Sequence, residues 1–92
     1  MKTIELLGNK YELVRNDKDC FNLEEIAEKV TEYFEEYDYI FGDYAYDKVR
    51  LKGYYDNKNE KATEVNNIYN LDEYIVNYCS YGARTFLLKK IK

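Results

Sequence analysis

Asp43, Tyr46 and Arg50 are the one group in this 92-residue chain from which acid–base chemistry could be assembled. Around them the inventory for catalysis is thin. The chain has no histidine, so the commonest general base and metal ligand is absent. It has no Gly-rich phosphate loop and no nucleophile elbow. Asp38, Asp43 and Asp47 could offer carboxylates to Mg²⁺, but their spacing runs around a turn, where aspartate ordinarily bonds the local backbone. Cys20 and Cys79 lack metal-ligand spacing and are too few for a disulfide framework; they read as small buried hydrophobes. The inventory points away from an enzyme, and it implies no cofactor and no metal.

A second constellation concerns binding. In KVRLKGYY, residues 48–55, Val49, Leu51, Gly53 and Tyr55 alternate with Lys48, Arg50, Lys52 and Tyr54. Alternate residues of an extended strand share a face about 6.8 Å apart, a spacing that lets cations track phosphates while an aromatic stacks on a base. The same alternation also keeps an exposed sheet face soluble and guards an edge strand against aggregation. Tyr44 and Tyr46 fall on the preceding turn, and Arg84 opens the basic C-terminal segment. Asp43, Tyr44, Tyr46, Lys48, Arg50, Lys52, Tyr54 and Arg84 are therefore the candidate interaction surface. Two kinds of partner suit it: another protein, since interfaces favour Tyr and Arg, or RNA or single-stranded DNA along residues 48–54.

The elements that must carry these residues follow from local patterns. TIELLGNKYELV predicts a hairpin turning at Gly8-Asn9, with Ile4 facing Leu13, Leu6 facing Tyr11 and Glu5 meeting Glu12. Asn22 can cap a helix with Glu25 as its return partner and Phe21 stapled onto Ile26. Leu23, Ile26, Ala27, Val30, Phe34 and Tyr37 give that helix an apolar stripe, and six glutamates supply most of the opposite face. YDYIFG and KVRLKGYY read as two strands joined by GDYAYD, with Tyr39 and Phe41 on one face. Residues 56–68 are polar and read as a mobile surface loop. Asn70 with Glu73 caps a second helix whose buried stripe is Leu71, Tyr74, Ile75 and Tyr78 and which Gly82 can end, and ARTFLLKKIK is a final strand. The reading is a single α+β domain over residues 1–92, ordered β-β-α-β-β-α-β, with about five mostly antiparallel strands and two helices on one face.

Composition sets the limits. Hydrophobic residues make up 46% and charged residues 35%, a globular balance. Twelve tyrosines invite a functional reading, but Phe, Tyr, Met, Ile, Asn and Lys, all with A/T-rich codons, account for 43 of the 92 residues. Low-GC coding explains such a bias, so position and not number must carry the argument. The net charge of −4 divides into −8 over residues 1–47 and +4 over residues 48–92. That split is either a dipolar surface able to orient a partner or acid decorating one exposed helix. No apolar run has the length of a signal peptide or of the ~20-residue membrane span. With two cysteines and no framework, a reduced cytoplasmic setting is the expectation.

The stretch DYIFGDYAYDKVRLKGYY resembles the YutD-like family of small bacterial proteins, whose members show a similar D-Y-I-x-G-D run followed by R-L-K-G-aromatic. YCSYG followed by TFLLKK looks like the family's C-terminal signature, and YELV fits its opening hairpin. Tyr44 stands where the family pattern has tryptophan, and Ala83 where a second cysteine often follows the glycine. The resemblance spans nearly the whole chain and implies a small cytoplasmic protein of low-GC Gram-positive relatives, without implying a biochemical activity.

Overall fold

The computed structural model describes residues 2–45, 47–79 and 83–91. Strands β1 (Lys2–Leu6) and β2 (Asn9–Asn16) form the opening hairpin. Its turn lies one residue earlier than the sequence suggests: Leu7 and Gly8 both take positive φ, 50° and 77°, as a two-residue turn matched to strand twist requires. Ile4 consequently pairs with Tyr11 and Leu6 with Asn9, a shift of two residues that leaves the faces unchanged. The shift replaces the expected Glu5–Glu12 repulsion with a Glu5–Lys10 pair, which is the physical reason to prefer it.

Helix α1 (Leu23–Lys29) begins as its cap predicts, with the Asn22 side chain accepting from the Glu25 amide at 3.2 Å. It does not run on to Tyr37. Val30 is extended (φ −79°, ψ 121°), and a short 3₁₀ turn, Glu32–Phe34, follows. Two adjacent β-branched residues, Val30 and Thr31, mark the break. Ile26, Val30 and Phe34 are buried nonetheless, while Leu23 and Ala27 of the expected stripe stay exposed and Tyr37 is half-buried, so only part of the stripe reaches the core, along a bent path.

Strands β3 (Tyr39–Ala45) and β4 (Lys48–Tyr54) are longer and more closely joined than expected. Gly42 to Ala45 continue the strand, because Asp43, Tyr44 and Ala45 pair with Arg50, Val49 and Lys48. Strand β5 (Thr85–Lys90) inserts between β2 and β3, giving one antiparallel sheet in the order β1-β2-β5-β3-β4.

The element order and five antiparallel strands agree with the sequence reading, but the helices do not share a face. Ile4, Leu6, Tyr11, Ile40, Phe86 and Leu88 pack beneath α1. Phe41, Tyr54 and Leu87, on the other face, pack beneath α2 (Leu71–Tyr78). The uninterrupted apolar run Phe86–Leu88 is the sequence trace of this: β5 alternates its side chains between two covered faces. Burying each such side chain contributes on the order of 1.5–3 kcal/mol.

Residues 56–68 are seated by hydrogen bonds. Asp38 Oδ2 accepts from the Asp56 amide at 2.8 Å and from Asn59 Nδ2 at 3.1 Å. Tyr55 donates its amide to Asn66 O at 2.7 Å, and Ile68 donates back to Tyr55 O at 2.9 Å. The second cap also differs from expectation. A 3₁₀ turn, Ile68–Asn70, precedes α2, and it is Asn67 whose side chain accepts from the Tyr69 amide at 3.0 Å. Asn70 instead donates to Glu64 O at 2.9 Å. The stop expected at Gly82 lies outside the described residues; α2 ends at Tyr78, and the Cys79 amide bonds Ile75 O.

Candidate functional site

Asp43 and Arg50 are brought together as a cross-strand pair on the face under α2. The Asp43 side chain is 4% exposed and that of Arg50 51%. Arg50 Nε donates to Asp43 Oδ1 at 3.2 Å, and Nη2 makes a closer contact to Oδ2, completing a two-point fork. The Asp43 hydrogen bonds and charge raise the guanidinium's already high pKa. Cys79, just past α2, donates its thiol to Asp43 Oδ2 at 3.5 Å. Burial first, and then the neighbouring carboxylate, push that thiol up to about 11, so it stays protonated near neutral pH and is a poor nucleophile. Tyr46, the third member of the acid–base group, lies outside the described residues.

The rest of the basic–aromatic strand is drawn inward. Tyr54 is 1% exposed, because the face expected to be open is covered by α2. Lys52 places Nζ 4.4 Å from the ring centroids of both Tyr54 and Tyr74. It also donates to Tyr54 Oη at 3.1 Å and to Val65 O at 2.6 Å, tying the 56–68 segment to the sheet. Its burial lowers its pKa. Lys48 is exposed.

Tyr44 points to the opposite face, half-buried, with its hydroxyl donating to Cys20 O at 3.1 Å. Arg84 lies over the Tyr44 ring at 4.7 Å and meets Asp47 at 3.6 Å. The three aspartates therefore have separate tasks: Asp38 seats a loop, Asp43 holds Arg50 and Asp47 faces Arg84. Among the described residues no three His, Cys, Asp or Glu side chains converge as a metal site requires. The seven candidate residues that are described do not form one surface.

What the sequence reading missed lies on α2 and the segment leading into it. Val65, Tyr69, Val76 and Tyr78 are 73%, 75%, 80% and 69% exposed. Tyr78 belonged to the expected buried stripe, but α2 covers the sheet only through Leu71, Tyr74 and Ile75. Val76, apolar and off that stripe, is the signal that was available. Between α2 and residues 64–70 runs a groove of about 420 Å³, with Lys52 in its lining beside Glu64, Val65, Glu73, Tyr74 and Tyr78. A larger hollow of about 560 Å³ lies where β5 and β3 meet the 56–59 segment, with Glu12, Asp38, Tyr39, Lys58 and Lys89 among its walls. There Glu12 and Lys89 face each other across strands, and Asp38 is engaged in holding the loop.

A family model described as "Putative antitoxin YutD-like" matches residues 5–89. The chain belongs to the YutD-like family. It is 46% identical over 83 residues to the protein named "Putative antitoxin YutD" of Bacillus subtilis (strain 168), covering 90% of this chain and 91% of that one. The solution NMR structure of the B. subtilis yutD protein is similar throughout, with a TM-score of 0.82 and 42% identity over 100% of this chain and 84% of that chain. The family resemblance read from DYIFGDYAYDKVRLKGYY is thus confirmed across nearly the whole chain. No described helix is long and apolar enough to cross a membrane.

Proposed function

We propose that this protein is a non-catalytic cytoplasmic module that acts by binding another protein. The observation that carries this reading is the concentration of exposed apolar side chains on α2 and its approach: Val65, Tyr69, Val76 and Tyr78, each more than two-thirds exposed. Small domains gain nothing in stability from such residues in water, whereas aromatic and aliphatic groups clustered on one element are what interfaces use. The description "antitoxin" borne by the family and by its B. subtilis member fits a protein whose task is to bind another. The non-catalytic part is supported by the protonated Cys79 thiol and by Asp43 being tied to Arg50. Reduced cysteines at positions 20 and 79 fit the cytoplasm.

The nucleic-acid alternative has lost its stacking residue, since Tyr54 is buried and Lys52 is engaged between two rings. Lys48, Arg50 and Arg84 remain accessible to a phosphate backbone. Affinity purification of the tagged protein from its own host, with and without nuclease, separates the two readings. A specific protein that survives nuclease and is lost with Val76→Asp is the expected result. Co-purification that vanishes with nuclease would replace the reading with nucleic-acid binding.

A further inference from the structure

We propose that the groove between α2 and residues 64–70 receives a partner segment that carries a lysine or arginine beside an aliphatic side chain. This rests on the interaction reading above and names the chemistry of its partner. Tyr74 and Tyr78 form one wall, their rings 5.1 Å apart and tilted by 31°, with Val65 beside them. Tyr74 is fixed: its ring meets Phe41 at 6.0 Å and Tyr54 at 6.4 Å, both edge-on. Tyr78 lies on that fixed ring with its outer surface in water, the position in which an aromatic accepts a cation or an aliphatic stem.

Charge chooses the partner. Glu64 and Glu73 line the groove, and among the described residues neither carboxylate is paired with a cation. The one ammonium in the lining, Lys52, is directed at two rings, a phenol oxygen and the Val65 carbonyl. The lining is therefore net negative and its cation is already engaged. A phosphate backbone would meet two carboxylates here, and a second copy would bring a chain of net charge −4. A basic head reaching Glu64 and Glu73, with its stem along Tyr78 and Val65, satisfies both the charge and the apolar wall.

The test is an amide NMR titration of the ¹⁵N-labelled protein. One probe is a blocked hexapeptide of alternating leucine and arginine; the other is its leucine–glutamate counterpart, each taken to about 5 mM to detect weak binding. Shifts at residues 64–65 and 73–78 with the arginine peptide alone are expected. Glu64→Gln with Glu73→Gln should weaken binding about tenfold, as should Tyr78→Ala. These side chains lie outside the core, so unchanged signals elsewhere confirm the fold. Absence of shifts, shifts confined to the α1 glutamates, or equal binding by the Glu64→Gln/Glu73→Gln variant would overturn the proposal. If the nuclease-resistant partner is retained by that variant but lost with Val76→Asp, the groove assignment fails while the interaction reading stands. If no protein partner is captured at all, both fail.

Discussion

Replacing Arg50 with methionine leaves the Asp43 carboxylate under α2 without its fork. Two charge-assisted hydrogen bonds disappear from a side chain that is 4% exposed, and the Cys79 thiol that also reaches it is a weak donor. Breaking a fully buried pair from one side costs about 3–5 kcal/mol. Here Arg50 is half in water, so solvent replaces part of what is lost, and about 2–3 kcal/mol is the expected destabilisation. A domain of this size holds roughly 5–14 kcal/mol in all, so the variant should fold but with a plainly lowered midpoint. In a urea titration that loss corresponds to a midpoint shift of about 2 M. Asp43→Asn placed on the Arg50→Met background should recover stability, because a neutral amide no longer needs a counter-charge. An Arg50→Met variant within about 0.5 kcal/mol of the parent, the usual range for surface substitutions, would refute the reasoning. It would mean that water, not the guanidinium, satisfies Asp43.

Three further outcomes follow from the same geometry. Gly53→Ala should destabilise the fold by about 1–3 kcal/mol in the same titration, since a Cβ there would stand 2.3 Å from Tyr37 Cδ2 and force the ring off the strand. Asn67→Ala should cost about 1 kcal/mol and raise amide exchange at Tyr69, whereas Asn70→Ala should leave that amide protected, because Asn67 is the cap. Stability should fall as the pH rises above about 9: burial raises the thiols of Cys20 and Cys79 and the phenols of Tyr11, Tyr39, Tyr54 and Tyr74, so the unfolded chain loses those protons first. The contribution of each raised group is complete below its unfolded pKa and is lost as the pH climbs through its folded value. Cys79→Ala should blunt the earliest part of that fall, which thermal denaturation between pH 7 and 11 would record.

Much of the fold was legible because its signals are local. Asn22 three residues before Glu25, an alternating KVRLKGYY and a glycine between two short strand patterns each specify an element without reference to anything distant. What stayed hidden depended on where an element would later pack. Nothing in Leu71, Tyr74, Ile75 and Tyr78 states which side of the sheet that stripe will cover. Lys48, Arg50, Lys52 and Tyr54 therefore read as a display until α2 is placed over Tyr54 and Lys52. Phe86–Leu88 held the missing information, because a strand with no polar alternation must be covered twice. The candidate surface was half legible for the same reason. Asp43 and Arg50 meet because strand register alone brings them together, while Tyr44 sits one position along the strand and so points away. Val65, Tyr69 and Val76 were overlooked because exposure is a property of the assembled fold: Val65 sits among polar residues, while Tyr69 and Val76 each follow an isoleucine.

The covering of the basic strand changes what it is for. An open row of Lys48, Arg50, Lys52 and Tyr54 would meet a ligand directly; under α2, Lys52 and Tyr54, with Arg50 through Asp43, position the helix. Lys52 grips the Val65 carbonyl and two tyrosine rings, which fixes the segment leading into α2. Asp43, itself held by Arg50, receives the thiol just beyond the last turn of α2. The helix is thereby anchored near both ends by polar contacts from β3 and β4, with Leu71, Tyr74 and Ile75 packed between. A short helix of eight residues has little stability of its own, so its outer face is only as well defined as these anchors. Tyr78 precedes Cys79 by one residue, and its orientation depends directly on the Asp43 anchor. If α2 carries the proposed interface, loss of Arg50 should weaken binding through the helix and not through a direct contact, and Asp43→Asn should restore binding together with stability. A variant pair that recovered stability without recovering binding would place Arg50 in the interface itself.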